Sequence, residues 1–84
     1  MIDVDGQKRA AGEAAAAMVQ TGMIVGLGTG STAVWFVRAL AARKLNIIGV
    51  PTSRATEELA ASLGIRIGDL GETRTIDLTV DGAD

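Results

Sequence analysis

Eighty-four residues allow one small domain, which buries only about 60–65% of its unfolded surface. A formal net charge of −2, from 8 basic and 10 acidic side chains, gives no broad basic surface and excludes a module that reads a nucleic-acid backbone. Without cysteine or histidine, the chain has no disulfide framework, no thiolate nucleophile and no zinc site.

The apolar stretches are far shorter than a membrane span. The N-terminus carries Asp3 and Asp5 where a secretory signal would be basic and then apolar, so a cytoplasmic protein with no membrane partner is expected. Hydrophobic residues make up 48% of the chain but aromatics only 2%, one Trp and one Phe. Its core is therefore built of Ala, Val, Ile and Leu, which suits tightly packed α/β layers.

Residues 5–21 are rich in alanine and predict a helix, with Asp3 or Asp5 as its cap and Gly22 as its stop. Ala11, Ala14, Ala15 and Met18 share one side, the spacing of a helix laid on a sheet. Lys8 and Arg9 fall in its first turn, where cations oppose the helix dipole and need either full solvation or another partner. Residues 23–27 predict the first strand. A helix follows over residues 31–42, with Ala33, Val37, Leu40 and Ala41 on one face and Trp35 and Phe36 read as packing residues. Residues 45–50 predict a second strand ended by Pro51, and Thr52 or Ser53 caps a third helix that runs to Leu63 before Gly64. Residues 65–67 make a short strand, residues 68–72 a turn, and residues 75–80 the last strand. Strands alternating with helices predict an α/β fold, a parallel, Rossmann-like sheet flanked by helices. Nothing divides residues 1–84 into domains. Because the chain stops directly after a strand that needs further neighbours, the natural protein is expected to continue.

Three informative segments follow strands, and the carboxyl ends of parallel strands open on one edge, where ligands bind at a switch in strand order. Gly26-Leu27-Gly28-Thr29-Gly30-Ser31-Thr32-Ala33 joins the first strand to the second helix. Its glycines let the backbone approach a ligand, and Thr29, Ser31 and Thr32 add hydroxyl donors beside the helix N-terminus, so the turn suits a phosphate. The bland alternative is a tight connection without a ligand. A dinucleotide is a further alternative, because Gly28-x-Gly30-x-x-Ala33 fits that fingerprint and Arg54 after the second strand suits a 2′-phosphate. Against it, no acidic residue ends the second strand to hold a ribose, and three hydroxyls suit a compact monophosphate. Thr52-Ser53-Arg54 follows the second strand; Thr52 and Ser53 read as helix caps with substrate contact as a secondary role, and Arg54 as a surface charge. Asp81-Gly82-Ala83-Asp84 follows the last strand. Its carboxylates either shape a turn and a cap or pass protons to and from sugar hydroxyls. Two carboxylates without further ligands make a poor metal site, and no metal is expected.

These residues together resemble the N-terminal part of ribose-5-phosphate isomerase A. The resemblance rests on Lys8 with Ala10 and Gly12, on Ile24 to Ala33, on Thr52-Ser53 with Thr56 and Leu59-Ala60, on Leu63-Gly64-Ile65, and on Asp77 to Asp84. It implies interconversion of ribose 5-phosphate and ribulose 5-phosphate, a step of the non-oxidative pentose phosphate pathway, through an enediolate and with no cofactor. Thr29, Gly30, Ser31 and Thr32 match the family's phosphate-binding segment, and Lys8 matches a lysine that reaches the same phosphate. Asp81 and Asp84 match paired aspartates at the sugar's reacting end, with Gly82 and Ala83 between them. The resemblance also implies a small-molecule sugar phosphate as partner and a homo-oligomeric parent protein. The family's catalytic glutamate and its Lys-Gly-Gly-Gly loop lie beyond this motif, so these residues alone are expected to be inactive. A non-catalytic sugar-phosphate sensor, such as the effector domain of a transcriptional regulator, is the rival reading, and a scaffold without ligand comes third.

Overall fold

A computed structural model describes residues 4–68 and 76–80. In chain order these form α1 (Val4–Ala17), β1 (Ile24–Leu27), α2 (Ser31–Ala42), β2 (Ile48–Pro51), α3 (Arg54–Ser62), β3 (Arg66–Ile67) and β4 (Leu78–Val80). The strands pair side by side in the order β3-β2-β1-β4, and every pairing is parallel. The chain thus steps outward from β1 to β2 and β3, then crosses back to place β4 on the other side of β1. The strand order reverses between β1 and β4, which is the topological switch point of the sheet.

Strand period sorts the sheet into two faces. Val25 and Leu27 point into the core with Phe36, Val37 and Leu40 of α2, Ala60 of α3, and Ala16 and Val19 from the first helical segment; Leu78 and Val80 of β4 pack against this cluster. Gly26 and Thr79 meet on the opposite face, where a Cβ on Gly26 would lie 2.7 Å from Thr79 Oγ1. Phe36 and Leu27 are the largest fully buried side chains, each contributing about 1.5–3 kcal/mol on removal from water.

Several boundaries and one face differ from the sequence expectation. The first helix starts at Val4 and ends at Ala17, so Lys8 and Arg9 lie past its first turn and escape much of the dipole penalty. Its buried residues are Gly12 and Ala16, whereas Ala11 and Ala14 are exposed and Met18 is 67% exposed. The cause is its partner: α1 lies mainly against α2 rather than flat on the sheet. A Cβ on Gly12 would come within 2.7 Å of Phe36 N and 2.9 Å of Thr32 O; only glycine allows the two backbones this close. Arg43 Nη1 donates to Ala16 O at 2.6 Å and also to Val19 O, tying the end of α1 and the turn after it to the end of α2. The second strand is shorter than expected at its start and includes Pro51, which is paired with Leu27. The last strand is described as Leu78–Val80, with Asp77 preceding it. There Asp77 Oδ2 accepts from Ile24 N at 2.7 Å while Asp77 N donates to Ile24 O at 2.8 Å, so this side chain substitutes for a missing ladder acceptor.

Candidate functional site

The register aligns three strand ends in one row. Leu27 pairs with Pro51 on one side and with Val80 on the other, so β1, β2 and β4 end level with one another at one edge. Hydrogen bonds tie them together. Gly28 N donates to Val80 O at 2.8 Å, and Thr52 N donates to Leu27 O at 3.0 Å, where the Thr52 hydroxyl also donates at 3.2 Å. Thr56 Oγ1 donates to Gly28 O at 3.0 Å. The glycine turn is therefore held from both flanks, by β4 and by the start of α3.

Within the turn, Gly30 is the N-cap of α2 at φ 94°, ψ 169°, a backbone region open essentially to glycine alone. Gly30 has no side chain to cap the helix, and the first intrahelical bond runs from Val34 N to Gly30 O at 3.2 Å. The earliest N–H groups of a helix have no acceptor within it and carry the positive end of its dipole. This leaves the start of α2, with the hydroxyls of Ser31 and Thr32 beside it, suited to an anion. A cavity of about 280 Å³ opens between the starts of α2 and α3, lined by Thr29, Gly30, Ser31, Ser53 and Thr56, with Val34, Val37 and Leu59 among its apolar walls.

The packing of α1 against α2 sets the position of Lys8. Gly12 sits against Thr32 and Phe36, while Ala16, one turn further on, takes its hydrogen bond from Arg43, just past the end of α2. The two helices therefore run parallel, and Lys8, one turn before Gly12, lies at the end where the glycine turn opens. Lys8 is half-buried. Arg9 serves another purpose: it pairs with Glu13 at 2.7 Å and lies 5.3 Å from the centre of the Trp35 ring, which Arg38 approaches at 5.5 Å.

Asp81, Gly82, Ala83 and Asp84 lie outside the described residues. Their chain neighbour Val80 is the residue paired with Leu27 and bonded to Gly28 N. Among the described residues, no three His, Cys, Asp or Glu side chains gather as a metal site would require, and no helix is long and apolar enough to cross a membrane. Ser53 is the cap of α3, accepting from Thr56 N at 3.2 Å, while Thr52 binds Leu27 O instead. Sequence reading gave Thr56 no role of its own at the turn. A threonine three residues after a serine cap reads as ordinary helix chemistry, and nothing local reveals its distant acceptor, Gly28 O.

Fold and turn define a parallel α/β protein whose glycine-rich strand-to-helix connection stands at the switch point, the construction by which such proteins hold phosphorylated ligands. A family model described as ribose 5-phosphate isomerase A (phosphoriboisomerase A) matches residues 48–84, and a curated relative named ribose-5-phosphate isomerase A from Caulobacter sp. (strain K31) is 65% identical over 83 residues, 99% of this chain. The chain belongs to the ribose 5-phosphate isomerase A family. The relative of that name from Synechococcus sp. (strain JA-3-3Ab) is 54% identical over 88 residues. The chain spans 37–38% of the length of these two curated relatives. Among solved structures, a D-ribose-5-phosphate isomerase in complex with phospho-erythronic acid superimposes with a TM-score of 0.93 at 36% identity, over 99% of this chain and 38% of the other. Ribose 5-phosphate isomerase A from Methanocaldococcus jannaschii gives 0.89 at 38% identity, over 95% and 37%.

Proposed function

We propose that this protein, as part of an α/β isomerase domain to which residues 1–84 contribute, interconverts ribose 5-phosphate and ribulose 5-phosphate. The observation that carries the reading is the row Pro51–Leu27–Val80. It brings the glycine turn beside the strand that leads directly into Asp81. A five-carbon sugar phosphate has its phosphate at one end and its reacting carbons at the other, so it needs an anion site and proton-carrying groups a few ångströms apart. The names of the relatives, and the phosphorylated acid bound to one structural neighbour, favour a monophosphate over a dinucleotide.

In this reading Thr29, Gly30, Ser31 and Thr32 hold the phosphate through backbone N–H groups and hydroxyls, and Lys8 supplies the opposite charge. Aldose-to-ketose conversion moves one proton from C2 to C1 and another from the C2 hydroxyl to the C1 carbonyl oxygen. Asp81 and Asp84 assist ring opening and the oxygen-to-oxygen transfer, with Gly82 and Ala83 keeping the backbone close to the sugar. No cofactor is needed. A cytoplasmic homo-oligomer with a small sugar phosphate as its partner completes the proposal.

The test is isomerisation by the complete protein, followed by NMR of both sugar phosphates, with Asp81→Asn and Asp84→Asn made singly and together. The expected result is turnover in the parent, and a double variant that still binds phospho-erythronic acid while its rate falls by about 10²-fold or more, the typical contribution of a positioned acid–base group. Tight sugar-phosphate binding without turnover in the parent would identify a sensor instead.

A further inference from the structure

We infer that Thr56 is a positioning residue for the phosphate-binding turn, acting through the Gly28 carbonyl; the inference rests on the function proposed above. Thr56 is only 8% exposed and is the buried polar side chain among the described residues. Its bonds form a directed relay. Ser53 Oγ donates to Thr56 Oγ1 at 3.0 Å, and Thr56 Oγ1 donates to Gly28 O at 3.0 Å. Ser53 Oγ in turn accepts from Thr56 N at 3.2 Å, so the cap of α3 and the relay share one oxygen. The single hydroxyl hydrogen of each side chain is thereby assigned.

The consequence for the turn follows from peptide geometry. A trans peptide is planar, with its C=O and the next N–H pointing in opposite directions. Holding Gly28 O toward Thr56 therefore aims the Thr29 N–H away from α3. The preceding peptide is held as well, through Gly28 N on Val80 O. Both peptides flanking Gly28 are oriented before any ligand arrives, although glycine by itself would leave them free to rotate. Preorganised donors keep affinity that loose ones lose to ordering. A relay needed only for folding would serve equally well at any buried contact between α3 and the sheet. This one ends on the residue immediately before the anion-binding run.

The test compares the complete protein with Thr56→Val, which keeps the shape and removes the hydroxyl, and with Thr56→Ser, which restores it. KM for ribose 5-phosphate and the inhibition constant of inorganic phosphate should both rise about five- to tenfold in Thr56→Val, the span of one net hydrogen bond. The rate constant kcat should stay within about twofold, and Thr56→Ser should recover most of the affinity. Should Thr56→Val not fold, Ser53→Ala decides: a rise in the phosphate constant supports the relay and no change overturns it. Unchanged phosphate affinity in a folded Thr56→Val, or a fall in kcat with KM unmoved, also overturns it. If the parent lacks isomerase activity the proposed function fails, while phosphate binding measured by calorimetry on parent and variant still judges Thr56 separately.

Discussion

Gly30 carries the sharpest constraint on any single residue. At φ 94°, ψ 169°, an L side chain costs about 1–3 kcal/mol, and the strain falls on the turn that leads into α2. Gly30→Ala is therefore expected to lower stability by that amount and to weaken phosphate inhibition more than it slows the chemical step, which denaturant melts and inhibition kinetics on the same preparation would separate. Lys8 provides the complementary case. It sits at the same end of the α1–α2 pair but carries charge rather than shape, so Lys8→Met should leave the melting transition nearly unmoved while KM for the sugar phosphate rises about tenfold or more, as loss of a charge-assisted contact implies. Equal KM values for Lys8→Met and parent would remove Lys8 from the site.

At the scale of elements, the α1–α2 contact decides where Lys8 goes. An alanine at position 12 would gain about 1 kcal/mol in helix propensity. Its Cβ, however, would meet Phe36 N at 2.7 Å and Thr32 O at 2.9 Å, backbone atoms that cannot rotate aside. Overpacking of this kind costs about 1–3 kcal/mol, so the clash prevails. Gly12→Ala should be net destabilising, and by pushing α1 outward it should raise KM as Lys8→Met does. A variant more stable than the parent would show that α1 can slide without penalty. Why the alanine stretch misled is clear from the same contact. A helix with alanine on most sides has no distinct apolar face, and glycine does not register as a packing residue at all, so periodicity selected Ala11, Ala14, Ala15 and Met18, of which only Ala15 packs against the core, while the structure buries Gly12 and Ala16.

Across the whole molecule, β1 and β2 each have a partner on both sides, and β1, whose Val25 and Leu27 are fully buried, is the more deeply enclosed of the two. Local opening is hardest where neighbours are most numerous. Hydrogen exchange should therefore be slowest for β1 amides and much faster for Arg66 and Ile67 of β3, at the sheet edge; β3 amides as protected as those of β1 would contradict the strand order. The same arrangement gives the glycine turn a firm base, since it springs from the best-held strand.

The alternation of apolar runs with capped, alanine-rich stretches was enough to read a parallel α/β sheet, and the cluster of glycines and hydroxyls from Gly26 to Thr32 was enough to propose an anion site, because both readings rest on local backbone freedom and side-chain period. Strand ends were less legible: where β2 starts and that Pro51 belongs to it depend on pairing with β1, a partner more than twenty residues away. Only the tertiary structure set Leu27 level with Pro51 and Val80, packed α1 parallel to α2 through Gly12, and joined Thr56 to Gly28. Those contacts bring together residues remote in sequence, and their geometry is fixed by register and close packing rather than by any pattern along the chain.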